Sequence, residues 1–166
     1  MKQFLSALLS VLLLHAQTSV PLQAPSDRRP AAPFELRDSK GKRVRLSDYR
    51  GKVLLLNFWA TWCGGCKQEM PEFEQLAQSF KKRKFTVLGI SVDEKGWAEI
   101  RPFLKNSKVT YRIALAEKNT PEGYDIQYLP ATFLIDQNGQ IAARYQGRVD
   151  AQDIEANIRL LVESQP

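Results

Sequence analysis

Histidine is almost absent from this 166-residue chain, and cysteine is nearly as scarce. The one histidine, His15, falls in an N-terminal stretch that reads as a removable leader, and the only cysteines are Cys63 and Cys66. A domain with two cysteines and no histidine cannot assemble a tetrahedral Cys/His zinc site within one chain. No metal and no other cofactor is therefore expected. Long apolar runs are missing too. Phe4 to Leu14 is apolar apart from two serines, short of the roughly 20 residues that span a bilayer. No cysteine follows that run, which removes a lipid-modified bacterial N-terminus. Neither sign of charge is in large excess: 24 Lys+Arg against 18 Asp+Glu leave +6. The basic run Lys81-Lys82-Arg83-Lys84 could suggest nucleic acid or acidic lipid, but it closes a predicted helix, where cations meet the helix dipole favourably; a solvated helix end is the expected reading, and nucleic acid is not expected as a partner.

Met1-Lys2-Gln3 followed by the apolar run has the layout of a secretory signal, a short basic region and then an apolar core. Residues 1–24 are read as a signal peptide or N-terminal anchor, with Ala16 and Ala24 as alternative cut positions. Export to the periplasm or another extracytoplasmic space follows, with membrane attachment if the leader is kept. Prolines in Ala24–Pro33 block regular structure, so 25–33 is read as a flexible linker. Residues 34–166 form one domain, without internal repeats, large enough for a sizeable core.

Trp62-Cys63-Gly64-Gly65-Cys66 sits where the apolar run Val53 to Ala60 meets a helical pattern. Two cysteines at this spacing, on a strand-to-helix junction, suit a reversible dithiol/disulfide exchanger. With the helix starting at Cys63, its sulfur lies at the positive end of the dipole, which favours thiolate over thiol. Cys66, one turn on, is within disulfide reach. Cys63 is the expected nucleophile and Cys66 the resolving thiol. A pair of inert buried thiols is the alternative.

The rest of the chain alternates strand and helix. Phe34–Arg37 and Arg43–Leu46 flank a turn-rich stretch and predict a hairpin. Val53–Trp59 is nearly continuous in apolar residues, as in a central strand covered on both faces. Met70, Phe73, Leu76 and Phe80 recur at helical spacing, and Phe85–Val92 predicts a second buried strand. Trp97 to Leu104 predicts a helix that must accommodate Pro102. Tyr111–Leu115 reads as a short strand, and Ala131–Ile135 with Gln140–Tyr145 as a hairpin. Asp150 caps a last helix whose apolar face is Ile154, Ile158, Leu161 and Val162. This order implies an α/β fold with a central mixed β-sheet and helices on both faces.

Asn57-Phe58-Trp59-Ala60-Thr61-Trp62-Cys63-Gly64-Gly65-Cys66, with Leu129-Pro130-Ala131-Thr132-Phe133-Leu134-Ile135-Asp136 downstream, resembles the thioredoxin superfamily. More narrowly, the chain is similar to the exported TlpA/ResA/CcmG-type thiol-disulfide oxidoreductases of bacteria. The resemblance runs from about Pro33 to the C-terminus. It implies a thioredoxin fold with an N-terminal β-hairpin and a central insert between Ser91 and Tyr111. It also implies that Pro130 is a cis-proline facing the dithiol, so that the backbone of Leu129 can hydrogen-bond a substrate strand. Trp62 would shield the disulfide and shape that docking surface.

The chain departs from thioredoxin at Asn57, which stands where thioredoxins carry a buried aspartate that accepts the resolving thiol's proton. Glu69 matches a glutamate of the ResA-like branch; burial would raise its pKa and suit it to acid/base work on Cys66. Gly64-Gly65 replaces the Gly-Pro of thioredoxin. With no histidine there to stabilise a thiolate, a reductant is expected rather than a strong oxidant. The implied partners are disulfide-containing exported proteins, apocytochrome c among the candidates, and a membrane electron donor that restores the dithiol; a monomer is expected. The alternatives are an oxidase or isomerase on the same fold, or a redox-inactive binding or metal-delivery module. A peroxidase is disfavoured, because its Pro-x-x-x-Thr/Ser-x-x-Cys context is absent around Cys63.

Overall fold

The computed structural model describes residues 20–164. The leader therefore lies almost wholly outside the described residues. Strands are β1 (Arg29–Pro30), β2 (Glu35–Asp38), β3 (Arg43–Arg45), β4 (Val53–Trp59), β5 (Phe85–Ser91), β6 (Arg112–Leu115), β7 (Ala131–Ile135) and β8 (Gln140–Gln146). Helices are α1 (Gly64–Ser79), α2 (Trp97–Asn106) and α3 (Ala151–Glu163). The strands form one mixed sheet in the order β1-β8-β7-β4-β5-β6-β2-β3. β4 pairs parallel with β5 and antiparallel with β7, so β4 is covered on both edges and every residue of it is buried. That is why its sequence is almost continuously apolar.

Alternation along β4 divides the core. Val53, Leu55 and Trp59 pack with Met70, Phe73 and Leu76 of α1, Ile100 of α2 and Ile154, Ile158 and Leu161 of α3. Leu54, Leu56 and Phe58 face the other way, onto Leu36, Val44, Leu46 and Tyr124. All three described α-helices thus contribute to one cluster, which corrects the expectation of helices on both faces. The second face is closed by the β2–β3 hairpin and by the short 3-10 turns Leu46–Tyr49 and Glu122–Tyr124. The hairpin reaches that position because β2 pairs with β6 and extends the sheet. α2, the insert, is held by Phe103 against Trp59, ring centroids 5.4 Å apart. Trp59 in turn needs Gly89 on β5: a Cβ there would stand 3.1 Å from the indole nitrogen and 2.6 Å from Ile113 Cδ1.

Residues 25–33, expected as a free linker, are docked on the sheet. Arg29 and Pro30 pair with β8, the Ala31 amide donates to the Gly139 carbonyl at 3.0 Å, and Arg28 pairs with the buried Asp136 at 3.0 Å. The prolines do block helix, but an edge strand tolerates proline because its free side needs no donor.

Candidate functional site

β4 ends at Trp59, and the chain turns through Ala60–Trp62 into α1. Cys63 is the N-cap residue of α1 rather than its first helical residue, and its sulfur accepts from the Cys66 amide at 3.2 Å. Cys63 and Cys66 are joined in a disulfide, with Cα atoms 5.3 Å apart. A sulfur at the N-cap meets amides that have no partner within the helix, which favours its anionic form once the bond is reduced. An attacking thiol is expected to face solvent, yet Cys63 is only 6 % exposed and Cys66 not at all, because both sulfurs are recessed into the α1 side of the core. Cys63 remains the more reachable of the two.

The loop before Cys63 is pinned from β5. Just past that strand, the buried Asp93 accepts from the Thr61 amide at 3.0 Å through each carboxylate oxygen, and from the Thr61 hydroxyl at 2.6 Å. Ser91 Oγ donates to the same carboxylate at 2.7 Å. Sequence reading missed Asp93. The available signal was a carboxylate directly beyond the C-terminal end of a parallel strand, where α/β sheets place their working groups.

The peptide bond Leu129–Pro130 is cis. The ring of Pro130 lies over the start of α1: a Cβ on Gly65 would be 3.4 Å from Pro130 Cδ. The Pro130 carbonyl accepts from the Gly147 amide at 2.9 Å, which ties the cis-proline loop to the β8–α3 connection. Trp62, the residue before Cys63, projects from the surface at 67 % exposure. Tyr128, also missed, is 56 % exposed just before the Leu129–Pro130 bond. Its chance of being read from sequence was small, since nothing local distinguishes it from a packed loop tyrosine.

Beneath α1, Asn57 on β4 donates from Nδ2 to Thr132 Oγ1 at 3.0 Å, while its Oδ1 has no partner. Glu69 follows Cys66 by one helical turn on α1 and is fully buried. Its Oε1 accepts from the Val149 amide at 2.8 Å, and its Oε2 has no partner. Burial pushes the Glu69 carboxyl up to about 7; the Val149 hydrogen bond opposes this, the Glu72 charge adds to it, and the Arg148 charge opposes it. A carboxyl poised there can take or give a proton at neutral pH. Arg148 itself holds Glu72 at 3.2 Å. Among the described residues, no three His, Cys, Asp or Glu side chains gather in a way that could hold a metal ion.

This arrangement has a clear likeness among known proteins. Residues 28–144 match the AhpC/TSA family. The thiol-disulfide oxidoreductase ResA of Geobacillus kaustophilus is 37% identical over 129 residues, 77% of this chain and 74% of that protein. The chain belongs to this family of thiol-disulfide oxidoreductases. ResA of Bacillus subtilis is 33% identical over 137 residues, 82% of this chain and 76% of that protein. Among solved structures, a putative thiol:disulfide interchange protein DsbE from Chlorobium tepidum superposes with a TM-score of 0.76 at 31% identity, covering 81% of this chain and 96% of that one. The family works on disulfides, and this chain carries the Cys63–Cys66 pair within a thioredoxin-like fold.

Proposed function

We propose that this oxidoreductase acts outside the cytoplasm as a reductase of disulfides in exported partner proteins, with apocytochrome c as one candidate. The observation that carries the reading is the Cys63–Cys66 pair at the N-terminus of α1 with the buried Glu69 one turn on. In the reduced enzyme, the Cys63 thiolate attacks one sulfur of the partner disulfide. That bond breaks, a mixed disulfide forms, and the departing partner thiolate takes a proton from solvent. The Cys66 thiol then passes its proton to the Glu69 carboxylate and attacks Cys63. The second partner sulfur leaves as a thiolate and takes up the proton that Glu69 received, so the partner departs as a dithiol, Glu69 returns to its carboxylate and the enzyme is left as the Cys63–Cys66 disulfide, two electrons having moved from enzyme to partner. Trp62, Leu129 and Pro130 receive the partner as an added strand. Asn57 cannot accept a proton, which leaves Glu69 as the acid/base group on this face of α1. A dithiol donor, membrane-borne in this reading, restores the reduced state.

A reducing poise fits a thiolate stabilised by a helix terminus alone, without a neighbouring cationic imidazole. Export is supported by the signal-like layout of residues 1–24 and by the likeness to an exposed lipoprotein thioredoxin of Streptococcus pneumoniae, 27% identical over 78% of this chain with a TM-score of 0.69. The test is reduction of insulin by the reduced enzyme, with the potential of the Cys63–Cys66 couple measured against glutathione. We expect catalysis that Cys63→Ala abolishes, and a potential at or below about −250 mV, on the thioredoxin side of the range. A potential near −120 mV would move the assignment to an oxidase. Insulin reduction that persists without Cys63 would exclude the mechanism altogether.

A further inference from the structure

β4 and β5 run parallel, so their first residues, Val53 and Phe85, mark the end of the sheet opposite Cys63. Basic side chains collect at that end. Lys81–Lys84 leave the C-terminus of α1, and the Val53 amide donates to the Lys84 carbonyl at 2.8 Å, which brings Lys52 alongside. The Gly51 amide donates to the Gln137 carbonyl at 2.9 Å, drawing Arg50 to the same end. Arg83 and Arg159 are there as well, paired with Glu163 and Glu155. By contrast, Lys52, Lys81, Lys82 and Lys84 are exposed, and among the described residues none of them is in a salt bridge.

This pole also carries apolar surface. Leu160, near the end of α3, is 59 % exposed. It borders a shallow concavity of about 730 Å³ lined by Leu22, Pro25 and Leu161 and, among polar residues, by Lys84 and by Arg28, which is paired with Asp136. Among the described residues, the exposed aromatic side chains, Trp62 and Tyr128, are at the disulfide end instead. A single-stranded nucleic acid would call for stacking rings beside the cations, and this pole offers none. Unpaired lysines beside the exposed Leu160 and the half-buried Leu22 suit a surface of anionic headgroups over acyl chains.

We propose that this pole rests on an anionic phospholipid bilayer. Lys52 and Lys81–Lys84 lie over the headgroups, Leu160 and Leu22 meet the interface, and the Cys63–Cys66 face is held away from the lipid, open to partner proteins. Each lysine near such a surface adds attraction that falls off within a Debye length, so the contact is salt-sensitive.

The test is flotation of the full-length protein with vesicles of phosphatidylcholine alone or of phosphatidylcholine with a quarter phosphatidylglycerol. The apolar run Phe4–Leu14 and the basic Met1-Lys2 ahead of it are the same in wild type and in every variant, so the loss of anionic preference on substitution reports the pole. We expect about tenfold or stronger partitioning onto the anionic vesicles at low salt, lost at about 0.5 M salt. The triple variant Lys81→Gln/Lys82→Gln/Lys84→Gln should lose most of that preference while reducing insulin at the wild-type rate. A control that removes equal charge elsewhere, Lys40→Gln/Lys42→Gln/Lys118→Gln, should keep it. Equal binding to both vesicles would overturn the proposal, as would a preference that survives the first triple variant. Equal loss in the control would reduce the effect to net charge and overturn it too. Binding to polyglutamate without binding to anionic vesicles would assign the pole to an acidic protein instead.

Discussion

The Val149 amide donates to Glu69 Oε1 at 2.8 Å, and this is the sole hydrogen bond that the fully buried Glu69 side chain makes among the described residues. One donor is too little to hold a buried carboxylate ionised, so burial wins and the pKa rises to about 7. The sign for stability follows. Between the usual carboxylate value and about 7, the folded state keeps the proton that the unfolded state has lost. Stability therefore falls as pH rises through that window, by roughly 3 kcal/mol once Glu69 is fully ionised. Glu69→Gln retains the acceptor for Val149 and removes the charge. Denaturant unfolding should show little difference from wild type near pH 4.5 and a variant that gains up to about 3 kcal/mol by pH 8. Parallel stability curves at all pH values would mean that Glu69 is not held up by burial.

The same variant bears on chemistry. Removing a nearby negative charge should make the active-site thiols easier to ionise, because like charges raise each other's pKa. With Glu69 as the acceptor of the Cys66 proton, the two would titrate as a coupled group and the thiolate absorbance curve would belong to the pair. We expect the curve of Glu69→Gln to shift to lower pH and turnover with a protein disulfide to fall. Superimposable curves and equal turnover would pass the proton role to water.

Cys63, at the N-cap and the more reachable sulfur, should be alkylated well before Cys66 when the reduced protein is treated at mildly acidic pH. Peptide mapping after brief labelling reads the order directly. Preferential modification of Cys66 would reverse the roles.

Asp93 holds Thr61 by its amide and its hydroxyl, two residues before Cys63. Asp93→Ala leaves these donors without their acceptor and should lower stability by about 1–3 kcal/mol. It should also slow insulin reduction, through a loosened approach to Cys63. Asp93→Asn keeps one acceptor oxygen and should recover most of the rate. If Asn and Ala behave alike, the charge of Asp93 matters and its grip on Thr61 does not.

Gly64 has open space where a Cβ would project, whereas a Cβ on Gly65 meets Pro130 Cδ at 3.4 Å. Gly64→Ala should stabilise the protein by about 0.5–1 kcal/mol, mostly by restricting the unfolded chain. Gly65→Leu would drive a side chain into Pro130 and Arg148, and turnover should drop well below that of Gly64→Ala. Thermal unfolding and insulin reduction on both variants separate the two effects.

The Cys63–Cys66 pair, its strand-to-helix setting, the hairpin at β7–β8 and the Asp150 cap, whose carboxylate accepts from the Gln152 amide at 2.8 Å, were all legible in the sequence. Each depends on spacing over a few residues, where the periods of helix and strand and the chemistry of turns leave a direct imprint. Other features depended on which distant segments meet. Burial of Glu69 required Val149, 80 residues away, and the grip on Thr61 required Asp93, 32 residues away. The gathering of all three described α-helices on one face and the docking of Arg29–Pro30 onto β8 are likewise long-range. Desolvation is set by every atom packed around a group, whatever its place in the chain. Sequence could therefore nominate Glu69 through resemblance, but only the tertiary structure could give it a buried, half-satisfied carboxyl with a pKa of about 7.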